Sequence, residues 1–254
     1  FQWWVADRCV IDPMICPWLN EFRGKLGLAP VRGVFRDWWH SPTRVLGFFP
    51  DWFSPKQPDW PAQTVLTGFP LYSEEGITPM PVELERFLAS GPAPIAFTPG
   101  SANIFGQKFF QAAADACTRL GKRGILLTRF AEQIPSNLPE NVKHFDYAPF
   151  KELLPRCQAL VHHGGIGSLS QAMAAGIGQV IMPMGFDQVD NAYHIKRLGV
   201  GDYLAPSRFD GNRLATTLMN LLGNPHTAPA CKQVAGWIAQ VDSLELACDV
   251  IETS

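Results

Sequence analysis

The chain has 254 residues and carries 21 Lys and Arg against 23 Asp and Glu, so a net charge of −2 leaves no basic field for nucleic acid or an anionic membrane. Its 46% hydrophobic content argues against disorder, yet no uninterrupted apolar run approaches the ~18–20 residues that cross a bilayer. Phe1-Gln2-Trp3-Trp4 has neither the basic stretch nor the cleavage site of a secretory leader, and the reading is a cytoplasmic protein of which this chain is a piece.

Two compositions follow one another along the chain. Seven of the eight Trp lie within residues 3–60, and 14 of the 22 Pro precede residue 100. In this first part Leu19, Phe22 and Leu26 are spaced for a helix over Leu19–Leu26 that Gly27 can end, and Arg44–Phe49 reads as a strand. Too few elements are present there to close a core alone. Between Thr67 and Pro94 repeated Gly and Pro favour turning or extended backbone, as in a linker, with a short helix at Glu83–Ala89.

Beyond residue 94 short apolar runs alternate with helical stretches. Strands are expected at Ile95–Thr98, Gly124–Leu127, Val142–Phe145, Ala159–His162 and Gln179–Met182. Helices are expected over about Gln107–Leu120, from the Gly164–Gly167 turn through Ala175, and over about Val189–Leu198. After residue 207, Leu214, Leu218, Leu221 and Leu222 share the buried face of a packing helix. Such alternation implies βαβ units and a doubly wound parallel sheet, a fold that binds ligands at the C-terminal ends of its strands. The six cysteines form no C-x-x-C pair and read as reduced thiols; His and Cys show no zinc spacing, and no metal site is expected.

Four loops fall at those strand ends. His162-His163-Gly164-Gly165-Ile166-Gly167-Ser168 follows a strand and opens a helix, so glycine backbone, a helix N-terminus, a hydroxyl and an imidazole converge as a phosphate or diphosphate requires. It is neither the dinucleotide fingerprint, whose third glycine is lacking, nor a P-loop, which needs Gly-Lys-Ser/Thr. In Met184-Gly185-Phe186-Asp187-Gln188 an acid and an amide suit sugar hydroxyls, although Asp187 serves equally well as the cap of the next helix. Gly100 and Ser101 follow the first strand and either reach the same crevice or form a plain turn. Tyr147 and Ala148 offer a flat face and backbone groups for a base, or simply pack.

Together these residues resemble glycosyltransferase family 1, the UDP-glucosyl- and glucuronosyltransferase group. His163, Gly165 and Ser168 match its His-x-Gly-x-x-Ser, Gln171 its following acid or amide, and Asp187-Gln188 its later acid-Gln pair; Tyr147-Ala148-Pro149-Phe150 is similar to its base-packing segment and Pro94–Asn103 to its opening strand and Gly-Ser turn. The resemblance implies an α/β, Rossmann-like, doubly wound donor-binding domain of the GT-B type. Residues 1–75 would be a remnant of the acceptor-binding domain, 76–93 a linker, 94–254 the nucleotide-sugar domain, and 242–252 its returning helix. It further implies an inverting, metal-independent hexosyltransferase without cofactor, acting from a nucleoside diphosphate sugar on a hydroxyl of a small lipophilic acceptor. UDP is favoured as the nucleotide, with TDP open because Tyr147 and Gln171 depart from the commonest pattern. His163, Gly164, Gly165, Gly167, Ser168, Gly100 and Ser101 would hold the diphosphate, Gln171 the ribose, Tyr147 and Ala148 the base, and Asp187 and Gln188 the sugar. The catalytic base is expected in the N-terminal part outside this chain, which would bind donor and not transfer it. A nucleotide-sugar 2-epimerase and a non-catalytic nucleotide-sugar-binding module are the alternatives.

Overall fold

The computed structural model describes residues 2–72 and 77–253, which form two compact units, one of residues up to Pro70 together with the segment from Ser243, the other Leu71–Asp242. The expected boundary at 75–76 lies outside the described residues.

In the first unit, helix α1 (Gln2–Ala6) passes through a π-helical turn, Asp7–Ile11, into α2 (Asp12–Lys25). The helix is therefore much longer than the expected Leu19–Leu26. Pro17, which normally breaks a helix, lies within it, and Pro13 occupies its first turn, where no N–H is needed. A second π-helical turn, Val34–Trp38, begins where the Asp12 carboxylate accepts from the Gly33 and Val34 amides and Asp7 accepts from Phe35 and Arg36. These amide bonds hold the Asp12 carboxyl below the usual carboxylate range. The expected strand Arg44–Phe49 shortens to β1 (Val45–Gly47), which pairs in parallel with an unanticipated β2 (Thr64–Leu66). Trp52, Phe53 and Phe69 meet edge to face beside it.

The second unit opens with α3 (Val82–Ala89), whose Leu84 and Leu88 are buried in a core shared with Ala96, Ile125 and Leu160. This part of the expected linker is thus a packed element of the unit. The sheet comprises β3 (Ile95–Thr98), β4 (Gly124–Leu127), β5 (Val142–Phe145), β6 (Ala159–His162), β7 (Gly178–Ile181) and β8 (Gly201–Tyr203), all parallel, in the order β5-β4-β3-β6-β7-β8. Helices α4 (Gln107–Leu120), α5 (Phe150–Leu153), α6 (Ile166–Ala174), α7 (Gln188–Arg197), α8 (Gly211–Gly223) and α9 (Thr227–Ala239) make the connections and flanking layers.

Period-two alternation distributes side chains between two cores. Ile95, Phe97, Leu126 and Val161 join Phe110, Leu214 and Leu218 on one face; Ala96, Ile125 and Leu160 join Leu153 and Ala172 on the other. Edge strand β8 was not expected, since Gly201-Asp202-Tyr203 lacks the apolar run of its neighbours. A last helix, α10 (Ser243–Glu252), groups with the first unit. All six cysteines are free thiols; burial pushes Cys117 and Cys157 up to about 12. No helix among the described residues is long and apolar enough to cross a membrane.

Candidate functional site

The sheet order reverses between β3 and β6, where Thr98 lies in register with His162. The chain leaves these neighbouring strands toward opposite sides, so a crevice opens above their ends. His163 fills its floor. A Cβ built on Gly100 would sit 2.9 Å from the His163 ring, and one on Gly165 would sit 2.5 Å from its Nε2. Gly100, at φ 98°, also needs the left-handed backbone that favours glycine. The imidazole is therefore seated between two glycines that no other residue can replace without displacing it.

Burial lowers the His163 pKa, opposed by the negative charge of Asp187, and Nδ1 is buried without a hydrogen-bond partner in the described structure. A neutral imidazole keeps one N–H to donate. Above it α6 begins at Ile166 with Gly165 as its cap residue, extended at φ −61°, ψ 139° and without any side-chain cap. The first-turn amides, those of Gly167 and Ser168 among them, have no intrahelical acceptor and carry the positive end of the helix dipole. Ser168 lies half-buried in that turn. This assembly suits an anion.

His162 has a different task. It is fully buried, its Nε2 meets Gln179 Oε1 at 2.9 Å, and its Nδ1 accepts from the Gly164 amide at 3.1 Å. Burial, reinforced by His163, lowers its pKa to about 3.

The loop after β7 arrives from the next strand. Asp187 precedes α7 but makes no side-chain cap; its Oδ2 accepts from Asn191 Nδ2 at 2.8 Å. Asn191, buried, also donates to the Gly164 carbonyl at 2.9 Å and so ties the acid to the glycine turn. Gln188 accepts from the Met184 amide at 2.8 Å, closing its own loop. Within that loop Phe186 is fully exposed and held at φ 56°, the one positive-φ non-glycine residue among those described. Asn103 Nδ2 reaches Met184 Sδ at 3.4 Å and thereby joins the loops after β3 and β7.

His163, Gly164, Gly165 and Gly100 are thus brought into one cluster, with Asp187 linked through Asn191. Ser101 is exposed in the β3 loop, and Gln171 lies one turn beyond Ser168, its Nε2 donating to the Tyr72 carbonyl at 2.6 Å. Tyr147 and Ala148 do not join the cluster: they follow edge strand β5, three strands from β6, or ~14 Å at the usual strand spacing. Tyr147 is partly exposed and Ala148 is buried in the core. Sequence reasoning passed over Gln179, Asn103 and Asn191. The signal for Asn191 was its position four residues after Asp187, on the same helix face.

The parallel six-stranded sheet and the crevice at its switch point are those of a GT-B glycosyltransferase fold. The chain belongs to the family of the erythromycin biosynthesis protein CIII-like C-terminal domain, whose model matches residues 123–252. It is 32% identical over 238 residues to the O-mycaminosyltylonolide 6-deoxyallosyltransferase of Streptomyces fradiae, covering 92% of this chain and 55% of that protein. The chain thus spans about half the length of that relative. The glycosyltransferase of kitacinnamycin superposes with a TM-score of 0.79 at 18% identity, over 99% of this chain and 64% of the other. The spinosyn rhamnosyltransferase solved with thymidine diphosphate gives 0.68 at 20% identity, over 82% and 57%.

Proposed function

We propose that the chain is the donor-binding part of an inverting, metal-independent glycosyltransferase that moves a hexose from a nucleoside diphosphate sugar to a hydroxyl of a small lipophilic acceptor. The observation that carries this reading is His163, seated between Gly100 and Gly165 with Nδ1 unpaired, beneath the uncapped start of α6. An acceptor oxygen attacks the anomeric carbon, the bond from that carbon to the diphosphate oxygen breaks, and the electron pair leaves with the diphosphate. His163, Ser168 and the amides near Gly165 and Gly167 bind the charge as it grows, a role filled elsewhere by a Lewis-acid metal. Asp187, with one carboxylate oxygen outside its Asn191 bond, and Gln188 hold the sugar; Gln171 takes the ribose, and Tyr147 with Ala148 the base.

The acceptor's base is sought in the protein's N-terminal part, so this chain binds donor without transferring it. Base catalysis contributes ~10²–10⁴-fold and acceptor placement more. Isothermal titration with uridine, UMP, UDP and TDP tests the site: affinity should rise with each phosphate, and equal binding of uridine and UDP refutes a diphosphate site. The UDP-to-TDP ratio decides the nucleotide, for which the sequence favours UDP while the spinosyn enzyme was solved with thymidine diphosphate. Binding should survive EDTA; loss restored by Mg²⁺ or Mn²⁺ refutes the metal-free mechanism. Assays with labelled donor and a panel of phenols, sterols and polyketides, on this chain and on a protein of the relatives' full length, separate transfer from epimerisation and from binding alone. Transfer by this chain at the full-length rate would place the base within these residues.

A further inference from the structure

We infer that His162 and Asn191, both buried, are positioning residues that hold the two peptide groups flanking the Gly164 Cα and set the aim of the amides that follow it. The inference rests on reading residues 163–168 as a diphosphate turn.

The geometry is specific. The Gly164 amide donates to His162 Nδ1 at 3.1 Å, and the Gly164 carbonyl accepts from Asn191 Nδ2 at 2.9 Å. Accepting at Nδ1 obliges a neutral ring to carry its proton on Nε2, which is where Gln179 Oε1 accepts at 2.9 Å. Gln179 thus selects the one tautomer able to hold Gly164. Both gripping side chains are buried, so neither bond is exchanged with solvent. What they hold is a residue with little freedom: Gly164 sits at φ 94°, and a Cβ there would lie 2.7 Å from Ile181 Cγ2. The Gly164 amide belongs to the peptide that joins it to His163, and its carbonyl to the peptide that carries the Gly165 amide, so a small rotation about φ or ψ of Gly164 would re-aim the Gly165 amide relative to His163. Asn191 also binds Asp187 Oδ2, so one side chain registers the turn against the sugar-side acid.

Two conservative variants separate positioning from mere burial. In His162→Asn the amide oxygen stands where Nδ1 stood and can accept from Gly164, while the Gln179 bond is lost. In His162→Gln the longer side chain keeps the Gln179 bond and loses the Gly164 acceptor. Each loses one buried hydrogen bond, and their thermal unfolding should match.

Gly164 amide exchange, read by NMR without ligand, should stay protected in His162→Asn and become fast in His162→Gln. UDP affinity should stay near that of the parent in the first and fall by about tenfold in the second, the size of one lost hydrogen bond. Asn191→Ala should also weaken UDP, and the double variant His162→Gln/Asn191→Ala should lose less than the product of the two, since both act through the one residue Gly164. Protection of Gly164 in His162→Gln, equal UDP affinity in the two His162 variants, or strict additivity would each overturn the clamp. If Gly164 exchange follows the expected pattern but the parent chain binds neither UDP nor TDP, the diphosphate reading fails and the positioning role with it. If the parent binds and the His162 variants do not differ, that reading stands and only the clamp falls.

Discussion

The two units of this chain reach order by different means. In the second, side chains at period two on strands and at helical spacing on α4 and α8 meet across a sheet whose strand β3 is wholly buried. In the first, α2 leaves Met14, Trp18 and Phe22 exposed, and the backbone is held by polar bonds between distant residues, such as Asp7 to the amides of Phe35 and Arg36. Local pattern therefore predicts structure where burial follows a period, and fails where a carboxylate's partner lies far along the chain.

Removing one side chain from each unit tests that contrast, and the largest effect belongs to the core between α4 and the sheet. Phe110→Ala, at a position with 0% exposure, should cost ~3–5 kcal/mol of stability in urea unfolding. A loss below ~1 kcal/mol would show that the sheet core is not close-packed. Next, His163→Ala should weaken UDP binding by roughly 1–3 kcal/mol in calorimetry, as for a hydrogen bond to a charged group, without a comparable change in unfolding. Equal binding by the variant would remove His163 from the site.

A smaller, graded effect comes from pH. Because burial holds His162 neutral, its pKa lowered to about 3 from the ordinary 6.5, the unfolded chain binds a proton that the folded one refuses. Its contribution is intact above about pH 6.5 and is lost as pH falls toward 3, at up to ~1.4 kcal/mol per pH unit. His162→Asn should remove that slope from the pH dependence of urea midpoints. The smallest effect is expected in the first unit: Trp18→Ala, at 77% exposure on α2, should change stability by no more than ~0.5 kcal/mol. A loss above ~2 kcal/mol would mean that this helix face is covered in solution.

The same contrast explains what was legible beforehand. Five of the six strands of the sheet could be read, four as short apolar runs and β5 from Val142 and Phe145 at its ends. Edge strand β8 was not, because Asp202 and Tyr203 need only one neighbouring strand and lack an apolar run. The glycine turn was legible because Gly164, Gly165 and Gly167 cluster beside His163. Its supports, Gln179 and Asn191, were hidden, since a polar residue inside a strand or helix shows its purpose only when its partner is known. Asp187 was ambiguous as a cap or a ligand group; the absence of a side-chain cap bond leaves it facing Asn191. In the first unit Pro17 concealed the start of α2, and both π-helical turns depend on contacts that no periodicity reports.

The strand order also dictates a sequence of events during synthesis. Strands β3, β4 and β5 can pair as soon as they emerge, but one edge of β3 has no partner until Ala159–His162 has been made. Until then a growing chain displays the open side of an apolar strand, the kind of edge that recruits other chains. Slow passage through residues 146–158 would lengthen that exposure, and a product terminated there should aggregate. The pairing that covers β3 is also the one that sets His163 against Gly100, so the crevice between the two loops takes shape in the same step, before β7 covers the far edge of β6.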